Sequence, residues 1–146
     1  MFRITKEFHF SASHQLTSLP PDHQCARLHG HNYIVEVELS AKVLDAHGFV
    51  RDYHDLAPLK RYIDESFDHR HLNDVLGHQQ VTAEYLARHF YDWCKARLPE
   101  TAAVRVSVSR GPNTPPDSPE RKLAGSGRSS FTVAWPRAAA PPNARP

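Results

Sequence analysis

Three side chains that can bind a metal ion or transfer a proton lie within seven residues, in the segment CARLHGHNY, which begins at Cys25. One glycine separates His29 from His31, and the alternating segment NYIVEVELS follows. Alternate residues of a strand project from the same face, so these two imidazoles would lie side by side within reach of one ion. The chain has 11 histidines but only two cysteines, which makes histidine the residue type to explain.

A third metal ligand would have to come from another segment. His14 lies near the end of the preceding predicted strand, where antiparallel pairing would bring it opposite the His-Gly-His segment. Three neutral imidazoles around zinc leave a fourth position open, as in a catalytic zinc site. The alternative is that the His-Gly-His pair is only structural. We predict structural or solvated roles for six other histidines: His9, His23, His47, His54, His78 and His89.

Two further groups are candidates for proton transfer. Cys25 precedes His29 by four residues and has three possible roles: a fourth zinc ligand, a small buried residue, or a nucleophile or base. A thiol acts as a base when a nearby cation or histidine lowers its pKa. The segment FDHRHLND places Asp68 next to His69, and a carboxylate can orient an imidazole for proton transfer. We predict that Cys94, on an amphipathic helix, belongs to the core.

The strands are predicted from alternating apolar residues, which occur at residues 2–16, 31–43 and 102–109. A proline-containing loop separates the first two strands and is too short for a parallel crossover, so they should pair antiparallel.

The helices are predicted from apolar residues at helical spacing, at residues 55–67 and 82–98. Pro58 falls in the first turn of the first helix, where proline is tolerated. Thr82 is the predicted N-cap of the second helix.

The composition fits one soluble domain at residues 1–109, followed by an atypical Pro/Gly/Arg-rich segment at 110–146. We expect that segment to be largely disordered, apart from a brief strand in FTVAW. A net charge of +2 without a Lys/Arg cluster argues against nucleic-acid binding. Two distant cysteines argue for a reducing compartment, and the charged N-terminus MFRITKEFHF resembles neither a signal peptide nor a membrane anchor. We therefore expect a cytoplasmic protein with no membrane partner.

Five segments, taken in order, resemble motifs of the 6-pyruvoyl-tetrahydropterin synthase superfamily: FSASHQL, CARLHGHNY, GFVRDYHDL, FDHRHLND and VTAEYLA. The resemblance covers about residues 2–107. The short Cys-x-x-x-His-Gly-His spacing is similar to the bacterial 6-carboxytetrahydropterin synthase branch, whereas animal members have a longer insert. The resemblance implies an α+β tunnelling fold, with a four-stranded antiparallel sheet and two helices on one face. It also implies a homo-oligomer, a trimer or hexamer, with active sites between subunits.

The same resemblance implies a role for each candidate residue. The zinc ligands would be His14, His29 and His31, the proton-transferring thiol would be Cys25, and the partner dyad would be Asp68 and His69. The substrate would be 7,8-dihydroneopterin triphosphate. The bacterial branch releases acetaldehyde and triphosphate and leaves 6-carboxy-5,6,7,8-tetrahydropterin, a precursor of queuosine-type 7-deazaguanines. The pyruvoyl branch eliminates only triphosphate.

The sequence departs from the family at the end of its third strand. Family members have a Val-x-Val-x-Glu-Thr pattern, whose glutamate binds the pterin ring. The segment here is VRVSVSRGP, with Val108 at the expected position in strict register and Arg110 after a two-residue slip. Three interpretations remain open: a loop delivers Glu120 to the pocket, the protein has lost its pterin affinity while keeping zinc, or the C-terminal third comes from a shifted reading frame.

Overall fold

The computed structural model describes residues 1–98, 103–110 and 130–134. Its regular elements, in chain order, are β1 (Phe2–His14), β2 (His29–Ala41), α1 (Ala57–Ser66), β3 (Arg70–His71), α2 (Leu72–Leu76), α3 (Ala83–Arg97), β4 (Ala103–Arg110) and β5 (Ser130–Ala134). Two short 3-10 turns occur at Gln24–Ala26 and Tyr53–Leu56. The three predicted strands and both predicted helices are present, with shifts of one or two residues at most ends.

The helix α3 begins where its sequence predicts. The Tyr85 N–H donates to the Thr82 hydroxyl oxygen at 3.2 Å, so Thr82 caps the helix as expected. Glu84 lies in the first turn and Lys95 and Arg97 in the last, which suits the helix dipole at both ends.

The sheet is mixed, with the strand order β3-β1-β2-β4-β5. The pairs β1/β2, β2/β4 and β4/β5 are antiparallel, whereas β3 runs parallel to β1. Among the described residues the sheet therefore has five strands, one of them parallel, and the expectation of a sheet of four antiparallel strands is not confirmed. The sequence did not predict β3 or α2 because a two-residue strand and a five-residue helix are too short to show a period.

One face of the sheet packs against the helices and forms the core. Phe10 of β1 stacks on Tyr33 of β2, with ring centroids 5.0 Å apart, and meets Phe67 and Phe90 edge-on at 5.9 and 6.2 Å. These contacts join the sheet to α3 and to the end of α1. Cys94 is fully buried, and burial raises its thiol pKa to about 12, so the predicted core position is confirmed.

The described residues include no helix that is both long and apolar enough to cross a lipid bilayer. The strand predicted in FTVAW is present as β5. The expected disorder of the remaining C-terminal segment and the candidate Glu120 concern residues outside the described ranges.

We predict that Phe90→Ala lowers the free energy of unfolding by about 3–5 kcal/mol, because it leaves a cavity between Phe10 and Phe67. Denaturant unfolding measures the change. The matched control is Val43→Ala, because Val43 is 79% exposed and its truncation should change stability by less than about 0.5 kcal/mol. Similar losses for both variants would contradict the packing described here.

Candidate active site

The pairing of β1 with β2 brings the three histidines together. His14 lies directly opposite His29, and Ala12 lies opposite His31. Residues directly opposite in a sheet share a face, so all three imidazoles project from the helix side of the sheet. One ring nitrogen from each lies within 4.8 Å of the others. The predicted cluster is therefore present, and it could hold a metal ion.

Backbone carbonyls fix the orientation of two of these rings. The His14 Nδ1 lies 2.6 Å from the Val81 carbonyl oxygen, and the His29 Nδ1 lies 2.7 Å from the Arg27 carbonyl oxygen. Each Nδ1 therefore carries the hydrogen and donates it to the carbonyl. The Nε2 atom of each neutral ring is left with a lone pair, which is the form that binds a metal.

The distance between the His14 and His29 Nε2 atoms tests whether a cation fits between these two rings. They lie 2.9 Å apart. Two lone pairs at this distance repel each other unless a positive charge, a proton or a metal ion, lies between them. A tetrahedral zinc ion with bonds of about 2.0–2.1 Å would hold two nitrogens roughly 3.3 Å apart, close to the observed spacing. Of the two cations, only a metal ion could take His31 as a third ligand as well.

Asn73 holds the chain directly after His14. Its side-chain oxygen accepts the Gln15 N–H at 2.9 Å, and its amide nitrogen donates to the Gln15 carbonyl at 2.7 Å. The same nitrogen lies 3.1 Å from the His78 carbonyl, on the segment leading to Val81. One side chain thus connects the end of β1 to the segment that orients the His14 ring.

Cys25 lies on the loop between β1 and β2, but it is not part of the histidine cluster. Its carbonyl accepts the Leu16 N–H at 3.0 Å, and the Gln15 side chain donates to the neighbouring Ala26 carbonyl at 2.8 Å. These bonds hold the Cys25 backbone beside the end of β1. The thiol is partly exposed and free of any disulfide.

Asp68 and His69 form the expected pair. The Asp68 Oδ2 lies 2.9 Å from the His69 Nδ1, and its Oδ1 accepts the Ser11 N–H at 2.9 Å. The Ser11 bond and the nearby His69 lower the pKa of Asp68, so the carboxylate is charged. His69 has a φ of 56°, an uncommon conformation for a residue with a side chain, and its N–H donates to the Ser11 carbonyl.

The exposed imidazole of His69 borders a cleft of about 690 Å³. Ser11 and Ser13 line this cleft and alternate along β1 with the residues that face the helices. The cleft therefore lies largely on the outer face of the sheet, whereas the histidine cluster lies on the helix side. His31 also lines it, so the two regions adjoin at the end of the strands.

The strand register gives different locations to residues 108 and 110, the two positions considered for the glutamate that the resemblance implies. Val108 pairs with Val35 and is fully buried in the core. Position 110 pairs with Tyr33, whose ring centroid lies 5.6 Å from that of His31. Arg110 therefore ends β4 opposite Tyr33, the residue whose ring contacts that of His31.

Comparison with known proteins agrees with this arrangement. The family model described as 6-pyruvoyl tetrahydropterin synthase matches residues 3–115. The chain belongs to this family.

Named members of the 6-pyruvoyl tetrahydropterin synthase family show how far the similarity extends. The 6-carboxy-5,6,7,8-tetrahydropterin synthase of Synechocystis is 37% identical over 107 residues, covering 68% of this chain and 77% of that protein. The Bacillus subtilis protein of the same name is 31% identical over 123 residues, covering 77% and 82%. The Caenorhabditis elegans 6-pyruvoyl tetrahydropterin synthase structure superimposes with a TM-score of 0.67 at 21% identity, over 92% of this chain and 96% of that one. That likeness shows the fold.

Sequence reasoning missed the residues that support the site. Asn73, Val81 and Ser11 act through the backbone or bond to it, and no spacing rule links them to the histidines. Each of the three lies within a motif quoted above, which offered the available signal: Ser11 in FSASHQL, Asn73 in FDHRHLND and Val81 in VTAEYLA.

We predict that Asn73→Asp weakens zinc binding about 10- to 100-fold, because a carboxylate cannot donate to the Gln15 and His78 carbonyls. Competition with a chromophoric chelator measures the affinity. Gln79→Glu, at an exposed position in the same segment, adds the same charge without removing these bonds. An equal loss in both variants would attribute the effect to charge and contradict the positioning role.

We predict that the stabilising effect of Asp68 depends on pH. Its pKa is lowered in the folded protein, so its contribution is complete above the ordinary value of 3.8 and is lost as the pH falls through the lowered value. The unfolding free energies of wild type and Asp68→Asn should therefore differ at neutral pH and converge in acid. Denaturant titrations across this range test it. The same convergence for Glu65→Gln, at an exposed position on α1 that forms no ion pair in the described part of the chain, would contradict the assignment.

Proposed function

We propose that this protein is a zinc-dependent lyase. It converts 7,8-dihydroneopterin triphosphate to 6-carboxy-5,6,7,8-tetrahydropterin, with release of acetaldehyde and triphosphate. The product enters 7-deazaguanine biosynthesis of the queuosine type. The observation that carries this proposal is the convergence of His14, His29 and His31, with two rings oriented by carbonyls for metal binding. The relatives named 6-carboxy-5,6,7,8-tetrahydropterin synthase support the choice of reaction.

The three histidines would hold the zinc ion through one nitrogen each. A zinc ion held by three neutral imidazoles would keep a fourth position open and would supply Lewis-acid chemistry toward substrate oxygens there. Val81 and Arg27 keep two of the rings in the metal-binding tautomer through their carbonyls.

Proton transfer is the role of Cys25 and the Asp68–His69 pair. Asp68 engages the Nδ1 atom of His69, so the Nε2 atom is directed away from the carboxylate and is available to a substrate. The His69 ring is 81% exposed, so a substrate can reach it. Cys25 supplies the second proton-transferring group, because its loop is held against the end of the strand that carries His14.

Assembly of several chains would bring these groups together. Within one chain the histidine cluster and the cleft beside His69 open toward different faces of the sheet. We propose sites between subunits of a trimer or hexamer, in which the dyad of one copy serves the metal centre of its neighbour. The edge of β1 supports this, because β3 pairs only with Ala12 and Ser13 and the rest of that edge has no partner strand in the described residues.

A second candidate function is a zinc-binding scaffold without pterin turnover. The observation that favours it is Arg110, which ends β4 beside Tyr33 where the resemblance expects an acidic residue. A guanidinium cannot accept the hydrogen bonds that a pterin ring donates. The pyruvoyl-type reaction remains a third outcome, since it uses the same groups without cleavage of the carbon–carbon bond.

We predict that purified zinc-loaded protein releases triphosphate and acetaldehyde from 7,8-dihydroneopterin triphosphate. Cys25→Ala should abolish turnover and keep the metal, because the thiol lies outside the cluster. His31→Ala should lose the metal, because two imidazoles hold zinc more weakly than three. Product analysis and elemental analysis of each variant provide the measurements.

Each outcome separates the candidates. Triphosphate without acetaldehyde identifies the pyruvoyl-type reaction. Full zinc without triphosphate release identifies the scaffold. A native protein without stoichiometric metal would overturn the proposal, and loss of metal from Cys25→Ala would make the thiol a ligand.

A further inference from the structure

The cleft beside His69 has a lining suited to an anion. The described polar side chains on its outer face and on β3 carry hydroxyl, amide, imidazole or guanidinium groups. They are Ser11, Ser13, Asn32, His69, Arg70 and His71, and no carboxylate is among them. Asp68 lies behind His69, with its two oxygens bonded to Ser11 and to the His69 ring. The side chains that face the cleft can therefore act mainly as donors.

Two serine hydroxyls orient neighbouring side chains as donors. The Ser11 hydroxyl donates to the Asn32 Oδ1 at 2.7 Å, which leaves the Asn32 amide hydrogens for another acceptor. The Ser13 Oγ lies 3.0 Å from the His71 Nδ1. When that hydroxyl donates to Nδ1, the His71 Nε2 carries the hydrogen and can donate in turn.

Arg70 brings the permanent positive charge. Its backbone pairs with Ala12 in the short strand β3, and its side chain borders the cleft. In the described part of the chain no carboxylate forms an ion pair with Arg70. A guanidinium without a carboxylate partner, placed beside further donors, matches the geometry of phosphate oxygens.

We propose that this cleft binds an oligophosphate, with Arg70 as the main anchor and Asn32 and His71 as additional donors. The identity of the ligand as the triphosphate arm of the substrate rests on the proposed function. Bound there, the arm lies next to the His69 imidazole, so the leaving group and the proton-transferring dyad share one cleft.

Isothermal titration of the zinc-loaded full-length chain with inorganic tripolyphosphate tests the proposal. Arg70→Gln should weaken binding at least tenfold, because it removes the charge that pairs with the phosphate oxygens. Arg70→Lys should bind with intermediate affinity, since it keeps the charge but loses the bidentate geometry. Arg61→Gln, at an exposed position on α1, is the matched control and should bind as wild type does.

Polyphosphate can also bind to zinc itself, so a metal-deficient variant is needed. His29→Ala, which removes an imidazole of the cluster that does not line the cleft, should retain tripolyphosphate binding if the cleft is the site. Binding that is lost in His29→Ala and unchanged in Arg70→Gln would overturn the proposal, as would equal affinities for Arg70→Gln and Arg61→Gln or no binding to wild type. Circular dichroism shows whether Arg70→Gln folds. If it does not fold, Arg70→Lys tests the proposal instead, and an affinity of Arg70→Lys equal to that of wild type would overturn it.

These titrations contain no pterin, so their result is independent of turnover. No tripolyphosphate binding to wild type, together with normal product formation by wild type, would refute the cleft and leave the proposed function standing. Binding that depends on Arg70, without any turnover, would refute the proposed function and leave an anion site.

Discussion

The register between β1 and β2 is the constraint on which the rest of the structure depends. Because side chains alternate along a strand, a shift of one residue would move a whole set of side chains to the other face. The observed register places Phe10 opposite Tyr33 in the core and His14 opposite His29 at the end of the same face. The histidine cluster is thus a continuation of the hydrophobic core, and His14 is only 2% exposed.

The same two strands supply a second environment on their outer face. Ser11, Ser13 and Asn32 occupy the positions between the core residues and line the cleft that His69 borders. The burial of one face specifies the register, and the register then fixes which polar side chains meet on the other.

The segment between α1 and α3 connects the two environments. Asp68 accepts a hydrogen bond from the backbone N–H of Ser11, and Asn73 bonds to the Gln15 backbone. The Val81 carbonyl accepts a hydrogen bond from the His14 ring. Three side-chain or backbone groups from this one segment therefore reach the last residues of β1. Its position is stabilised by Phe67, which is fully buried against Phe10 and Phe90. Packing of the aromatic core consequently supports both the Asp68–His69 pair and the histidine cluster.

The end of β4 is where the sequence departs from the pattern that the resemblance implies. Val108 is fully buried in the core, and Arg110 pairs with Tyr33 at the end of the strand. The histidine cluster is formed by β1 and β2, so neither of these positions supplies one of its imidazoles.

The sequence by itself determined the long elements and the types of chemical group. The two-residue alternation of apolar side chains predicted β1 and β2, and apolar residues at helical spacing predicted α1 and α3. The spacing of His29 and His31 predicted a cluster that could hold a metal ion. Tertiary structure alone decided the parallel strand β3, the carbonyls that orient His14 and His29, the bonds of Asn73, and the location of His69 on the outer cleft. Most of these features depend on contacts between residues 57 to 67 positions apart in the sequence, and the others depend on a single backbone carbonyl; neither leaves a periodic pattern in the sequence.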